Sequence, residues 1–176
     1  ITGGASALNV ATIISGNLLN RTNLVQTATY YVTPRVGNCV GAAFSVIVTL
    51  QPTPEIVSIT QTTNSGTPFA ISPANGQQGI VPFNTRYSWT LPTFSSASVT
   101  GGQSASNQAN IFGTLNNPSN KIQTATYSIT PVAGNCMGIN FTISVSIKPT
   151  FQITAFAPTS AGTGATITIR GRGFTN

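Results

Sequence analysis

The side chains able to do chemistry are few. There is one acid, Glu55, with no Asp and no His, beside seven Lys and Arg and two Cys. General acid and base work needs a titratable pair, and a nucleophilic triad needs a base beside its Ser or Cys. Neither can be assembled here, so the expectation is a non-enzyme with no catalytic residues. Calcium sites need clustered carboxylates and zinc sites several Cys or His ligands, so no metal site and no cofactor site is expected either. Cation sites built from carbonyls alone would be weak. A buried acid can also catalyse a Lys to Asn cross-link, but Glu55 lies beside Pro54 in a linker, which speaks against it.

The net charge of +6 reflects missing acids more than abundant bases. Arg21, Arg35, Arg86, Lys121, Lys148, Arg170 and Arg172 are scattered, with no basic run interleaved with aromatics, so nucleic acid is not an expected partner. A diffuse positive field favours acidic polysaccharide or another anionic surface. The single tryptophan, Trp89, has two readings: a core plug, which is favoured, or a platform on which a sugar ring stacks. Arg170-Gly171-Arg172-Gly173 occurs once on a strand and turn, and is read as structure before RNA binding. Gly162-x-Gly164 has no following helix and is no phosphate loop.

The elements that hold these residues are strands, and they repeat. Gln123-Thr124-Ala125-Thr126-Tyr127-Ser128-Ile129-Thr130-Pro131, then Gly134-Asn135-Cys136, then residues 141–149, return an earlier run: Gln26-Thr27-Ala28-Thr29-Tyr30-Tyr31-Val32-Thr33-Pro34, Gly37-Asn38-Cys39 and residues 44–52. Ala125, Tyr127 and Ile129 fall on one side and Thr124, Thr126, Ser128 and Thr130 on the other. In the partner segment Phe141, Ile143, Val145 and Ile147 alternate with Thr142, Ser144, Ser146 and Lys148. Period two predicts half-buried strands, and Pro-x-x-Gly-Asn-Cys-x-Gly predicts the turn between them.

Residues 1–56 align with 99–153, with one residue inserted near Ser15 and about half the positions identical. Thr2-Gly3-Gly4 matches Thr100-Gly101-Gly102, Asn9 matches Asn107 and Ile13 matches Ile111. The first copy therefore lacks a counterpart of residues 57–98. Either the chain is a window on a longer protein, the plainer explanation, or a neighbouring chain supplies the missing strands. One Cys per copy at equivalent positions predicts free thiols, buried or half-buried, before any intermolecular bond, because equivalent sites in successive domains do not meet.

Pro52-Thr53-Pro54-Glu55-Ile56 predicts a short, semi-rigid connector. Beyond it, Val57-Ser58-Ile59-Thr60-Gln61 and residues 68–73 read as strands, and residues 85–92 as a strand with Tyr87, Trp89 and Leu91 on one face. Residues 95–120 read as short strands around Ile111 and Leu115 with long loops. With 40% hydrophobic residues and only 5% charged, the chain can build cores, and Thr, Ser, Asn and Gln must cover its surface. No helical periodicity is present. No apolar run is long enough to span a bilayer or act as a signal peptide, and Ile1 already sits inside a repeat, so that says nothing of export. About seven short strands in roughly 95 residues predict an all-β fold of tandem immunoglobulin-like sandwiches.

These residues also carry a resemblance. Tyr87-x-Trp89, the run 124–131, Gly134-Asn135-Cys136-x-Gly138 and the closing Lys148-Pro149-Thr150 resemble the PKD-like repeats of very large Bacteroidetes cell-surface adhesins, including those of gliding motility. Residues 153–175 are similar to the opening of an IPT/TIG domain, also immunoglobulin-like. The resemblance implies three pieces: 1–53, the C-terminal part of one PKD-like repeat; 54–151, a complete repeat; and 152–176, the first strands of an IPT/TIG domain. It implies a secreted segment on the bacterial surface, associated with the outer membrane, touching extracellular glycans or surfaces and neighbouring repeats, with no membrane insertion. It also implies a Cys before Ser-Gly near the first strands that bridges to the later Cys. Asn64-Ser65-Gly66 stands there in the complete repeat, and for the first repeat that partner would precede Ile1.

Three functional readings follow. The first is an adhesive stalk of inert modules. The second is an accessory spacer or polysaccharide-binding module of an extracellular hydrolase. The third is a filament whose subunits complete one another's sheets.

Overall fold

A computed structural model describes residues 1–6 and 11–172. Asn9 and the closing Gly173-Phe174-Thr175 lie outside the described residues, as does the side chain of Arg172. Every regular element among the described residues is a β-strand. The chain divides into two compact units: one gathers Ile1–Ile56, Ala74–Thr85 and Pro131–Ile139, the other Val57–Pro73, Arg86–Thr130 and the chain from Asn140 onward.

In the first unit the strands Gln26–Val32 and Phe44–Leu50 pair antiparallel, from Gln26 opposite Leu50 to Val32 opposite Phe44. The Thr-rich alternation forms this ladder because β-branched and aromatic side chains fit a pleated surface. Arg35–Val36 pairs with Cys39–Val40 across Gly37, whose φ of 57° is a turn conformation that favours glycine. The Pro-to-Gly spacing is explained by a backbone bond: the Gly41 amide donates to the Pro34 carbonyl at 2.9 Å, and the Gly138 amide to the Pro131 carbonyl at 2.9 Å. Thr2–Gly3 pairs with Leu18–Leu19. The proline connector keeps a strand's alternation, with Pro52, Pro54 and Ile56 buried and Thr53 and Glu55 exposed. Glu55–Ile56 then pairs with Gly79–Ile80.

In the second unit one sheet runs in the order Ala105–Gln108, Arg86–Trp89, Gln123–Ala133, Phe141–Lys148, Ile59–Asn64. The central hairpin pairs Gln123 with Ile147 through to Ile129 with Phe141. On its outer edge Ile59–Asn64 adds parallel, from Ile59 opposite Ile143 to Asn64 opposite Lys148. A second sheet holds Thr100–Gly101, Ile111–Asn116 and Pro68–Ile71. The core lies between them: Tyr127, Ile129, Ile143, Val145 and Ile147 from the first sheet, Phe69, Ile71, Ile111 and Leu115 from the second. Phe69 meets Tyr127 edge to face with ring centres 5.9 Å apart, and Tyr87 meets Phe141 at 6.4 Å. The fold is thus an all-β, immunoglobulin-type sandwich, and each inward position expected in this hairpin is buried.

Two expectations are corrected. Leu91 does not share the inward face of Tyr87 and Trp89: it is 67% exposed. The strand ends at Trp89, and the chain re-enters the sheet at Thr93, opposite Thr126, so the alternation slips and Pro92 turns inward instead. Ile111 and Leu115 belong to one strand, Ile111–Asn116, not to separate short ones. The last segment forms an exposed antiparallel pair, Gln152–Ala157 with Thr168–Arg172, which places Arg170 and Gly171 on a strand.

Candidate functional site

The residues singled out for their chemistry are not brought together. Glu55 is exposed on its short strand, the wrong setting for a cross-link that needs a buried acid. Arg21, Arg35, Arg86, Lys121, Lys148 and Arg170 are all exposed. Both thiols are free. Cys136 is half-buried as expected, whereas Cys39 is exposed, because the turn that carries it has little packed over it. Asn64 ends a strand where the implied disulfide would place a Cys, and the neighbouring Ser65 hydroxyl donates to the Asn116 side-chain carbonyl at 2.9 Å. Among the described residues no three or more His, Cys, Asp or Glu lie close enough to hold a metal ion.

Trp89 is 5% exposed and packs edge-on to Phe112 with ring centres 5.7 Å apart. Its indole N–H donates to the Gln103 carbonyl at 2.8 Å, so its one polar atom is engaged inside the fold. It is a core plug, 5% exposed, and only its margin reaches the clefts beside it.

Sequence reasoning missed the asparagines. The Asn117 side chain is buried; its amide donates to the carbonyls of Lys121 at 2.8 Å and Ile147 at 2.9 Å, and its oxygen accepts from the Ser119 amide and hydroxyl. Asn20 repeats this atom for atom: it donates to Leu24 at 2.8 Å and Leu50 at 3.2 Å, and accepts from the Thr22 amide and hydroxyl. Each is a clip that folds the loop before the hairpin and ties it to the last strand. The signal was present: Asn-x-Ser/Thr is a turn-forming pattern, retained in both copies while the loop around it diverged.

A second repeated device surrounds a tyrosine. The Tyr127 hydroxyl is buried and finds no hydrogen-bond partner among the described residues. A Cβ placed on Gly102 or Gly113 would fall 2.9 or 3.1 Å from that oxygen, and a Cβ on Gly4 or Gly16 would fall 3.0 or 3.2 Å from the Tyr30 oxygen. The glycines leave room for the ring tip. Burial pushes the Tyr127 and Tyr87 phenols up to about 12, so both stay protonated at neutral pH and neither serves as a base.

Two clefts open on the second unit. One, of about 510 Å³, is lined by hydroxyls of Ser88, Thr90, Ser104, Ser106, Ser128 and Thr130 and by Asn140. The other, of about 410 Å³, is walled by Phe69, Trp89, Phe112 and the glycines around Tyr127. Neither is lined by a titratable side chain. The first can exchange hydrogen bonds with a neutral polyol, but it offers no group that moves a proton.

Comparison with known proteins agrees with this geometry. Residues 1–54 and 74–151, more than half of the chain, match the model of a family described as PKD-like domain. No curated protein and no solved structure matches.

Proposed function

Because this chain belongs to the PKD-like domain family, we propose that it is a non-catalytic structural and adhesive segment of a large secreted adhesin. Its divisions are 1–53, the C-terminal part of one repeat; 54–151, a complete repeat; and 152–176, the opening strands of an IPT/TIG domain. It works outside the cell, on a bacterial surface associated with the outer membrane, where strung repeats make a stalk for attachment or gliding. Its partners are neighbouring repeats and extracellular glycans or surfaces.

The observation that carries this reading is the duplicated hairpin. Two copies keep the same residue pairing and the same buried asparagine clip, while the clefts hold no side chain for proton transfer. Selection that preserves stitching and leaves clefts chemically empty fits a spacer whose work is reach and contact. The test is deletion of residues 54–151 from the full gene in the source cells. Attachment or gliding should fall, an antibody to the segment should label intact cells, and extracellular polysaccharide hydrolysis should be unchanged. Loss of hydrolysis with attachment intact would replace this reading with an accessory module of an extracellular hydrolase, a role that the hydroxyl-lined cleft favours.

A further inference from the structure

The phenol of Tyr127 brings a polar atom into the core that the packing there does not use. Its hydroxyl is buried and finds no partner among the described residues, a cost that phenylalanine in the same place would avoid. The oxygen lies under the floor of the cleft of about 410 Å³. Gly102 and Gly113 line that cleft, and a Cβ on either would fall 2.9 or 3.1 Å from the oxygen. Those are hydrogen-bond distances, and glycine leaves both positions without a side chain. Aromatic rings wall the same cleft. Phe69 packs edge to face on Tyr127, Trp89 packs on Phe112, and Phe112 is 45% exposed. Gln103, Ser104 and Thr114, all exposed, add polar groups, and no charged side chain lines the cleft.

We propose that this cleft binds the acetamido group of a neutral amino-sugar chain, with the methyl against Phe69, Trp89 and Phe112 and the carbonyl accepting from the Tyr127 hydroxyl. The proposal rests on the reading of extracellular glycans as partners and names the sugar class and the site. Each part of the group answers an observation. An uncharged lining selects a neutral ligand, and rings selective for an apolar group take the methyl. A phenol O–H without an acceptor suits a carbonyl oxygen, which accepts and cannot donate. Gln103, Ser104 and Thr114 then meet the ring hydroxyls of the sugar. Because the Tyr127 oxygen is buried in the free protein, the carbonyl reaches it by parting the corner at Gly101-Gly102. Both glycines hold a positive φ, 89° and 70°, and put no side chain in the way.

The test titrates the full chain with soluble oligomers of N-acetylglucosamine and, separately, of glucose, followed by calorimetry and by the emission of Trp89, the single tryptophan. The acetylated oligomers should bind saturably and shift the emission, and the glucose oligomers should bind at least about 10-fold more weakly. Tyr127→Phe keeps the ring and loses only the donor; it should weaken the acetylated sugar about 10-fold, and Phe112→Ala should do the same. Thermal midpoints verify folding, and Phe112→Leu replaces the alanine variant if that one does not fold. Equal binding of the two sugars overturns the proposal and leaves glycans as partners. Absence of binding by both overturns it as well, and the deletion of residues 54–151 then decides separately whether the segment serves attachment. Unchanged affinity in Tyr127→Phe also overturns it. So does a loss in Ser128→Ala, which would put the sugar in the hydroxyl-lined cleft instead.

Discussion

The two hairpins, 26–50 and 123–147, share their pairing, turn and asparagine clip, and differ in what lies on top of them. Tyr127 is fully buried and its counterpart Tyr30 half-buried, and the same holds for Ile143 and Val46. Strand pairing and turn chemistry are therefore written within the hairpin, whereas its hydrophobic stabilisation in the second copy is supplied by side chains from elsewhere in the chain, Phe69, Ile71, Ile111 and Leu115 among them. Among the described residues the same pattern is packed over in the second copy and less covered in the first.

The widest gap between the copies should appear when a charge is placed on the shared face. Val145→Asp buries an unpaired carboxylate and should destabilise the second unit by about 4 kcal/mol or more. Val48→Asp faces solvent and should cost less than about 1 kcal/mol. Urea unfolding followed by Trp89 fluorescence reads the first effect, and hydrogen exchange at Phe44–Leu50 the second. Equal losses would mean that the first face is covered in solution.

The clips should instead behave alike. Asn117→Ala and Asn20→Ala each remove the donor to two backbone carbonyls, one in the loop and one on the last strand, and each should cost about 1–3 kcal/mol locally. Exchange rates in the strands following each loop would measure it. A large effect in one copy alone would break the equivalence.

How much of this was legible follows the same division. Period-two alternation marked the inward positions of residues 123–147, and Tyr87 and Trp89, because those choices are made by neighbours two residues away. Leu91 was misplaced because a phase slip after Trp89 is set by pairing to a distant strand, which no local pattern records. The exposure of Cys39 was invisible for the same reason: its sequence context matches that of Cys136, and only the packing differs. The asparagine clips were legible in principle, as a polar pair retained within a variable loop, but composition alone made them look like surface. The parallel edge strand Ile59–Asn64 joins residues far apart in the chain, and nothing near it announces its partner.

A glycine pair gives a smaller contrast. A Cβ on Gly138 would collide with the backbone carbonyl of Pro54, whereas one on Gly41 would press at 2.9 Å on the ring of Pro34. Gly138→Ala should lower stability by about 1–2 kcal/mol and Gly41→Ala by less, as read from thermal midpoints. The smallest effect is expected at the tyrosine. Tyr127→Phe removes a hydroxyl without a partner and should change stability by less than about 1 kcal/mol at neutral pH. Burial raises the Tyr87 and Tyr127 phenols from 10.0 to about 12. The folded state thus holds these protons more tightly than the unfolded state. The associated stability is fully present below pH 10 and is lost as the pH rises through about 12. A Tyr87→Phe, Tyr127→Phe double variant should show a flatter decline over that window in alkaline unfolding.

The edge strand has a mechanical corollary. Ile59–Asn64 lies parallel to Phe141–Lys148, so the first and last long strands of the module sit side by side and point the same way. Tension that enters ahead of Ile59 and leaves after Lys148 pulls these neighbours past each other along their length. The ladder is then loaded in shear, and its bonds must yield together where an antiparallel pair pulled from one end would unzip one rung at a time. Such a join resists a sudden tug better than the same rungs would if they were peeled apart in turn.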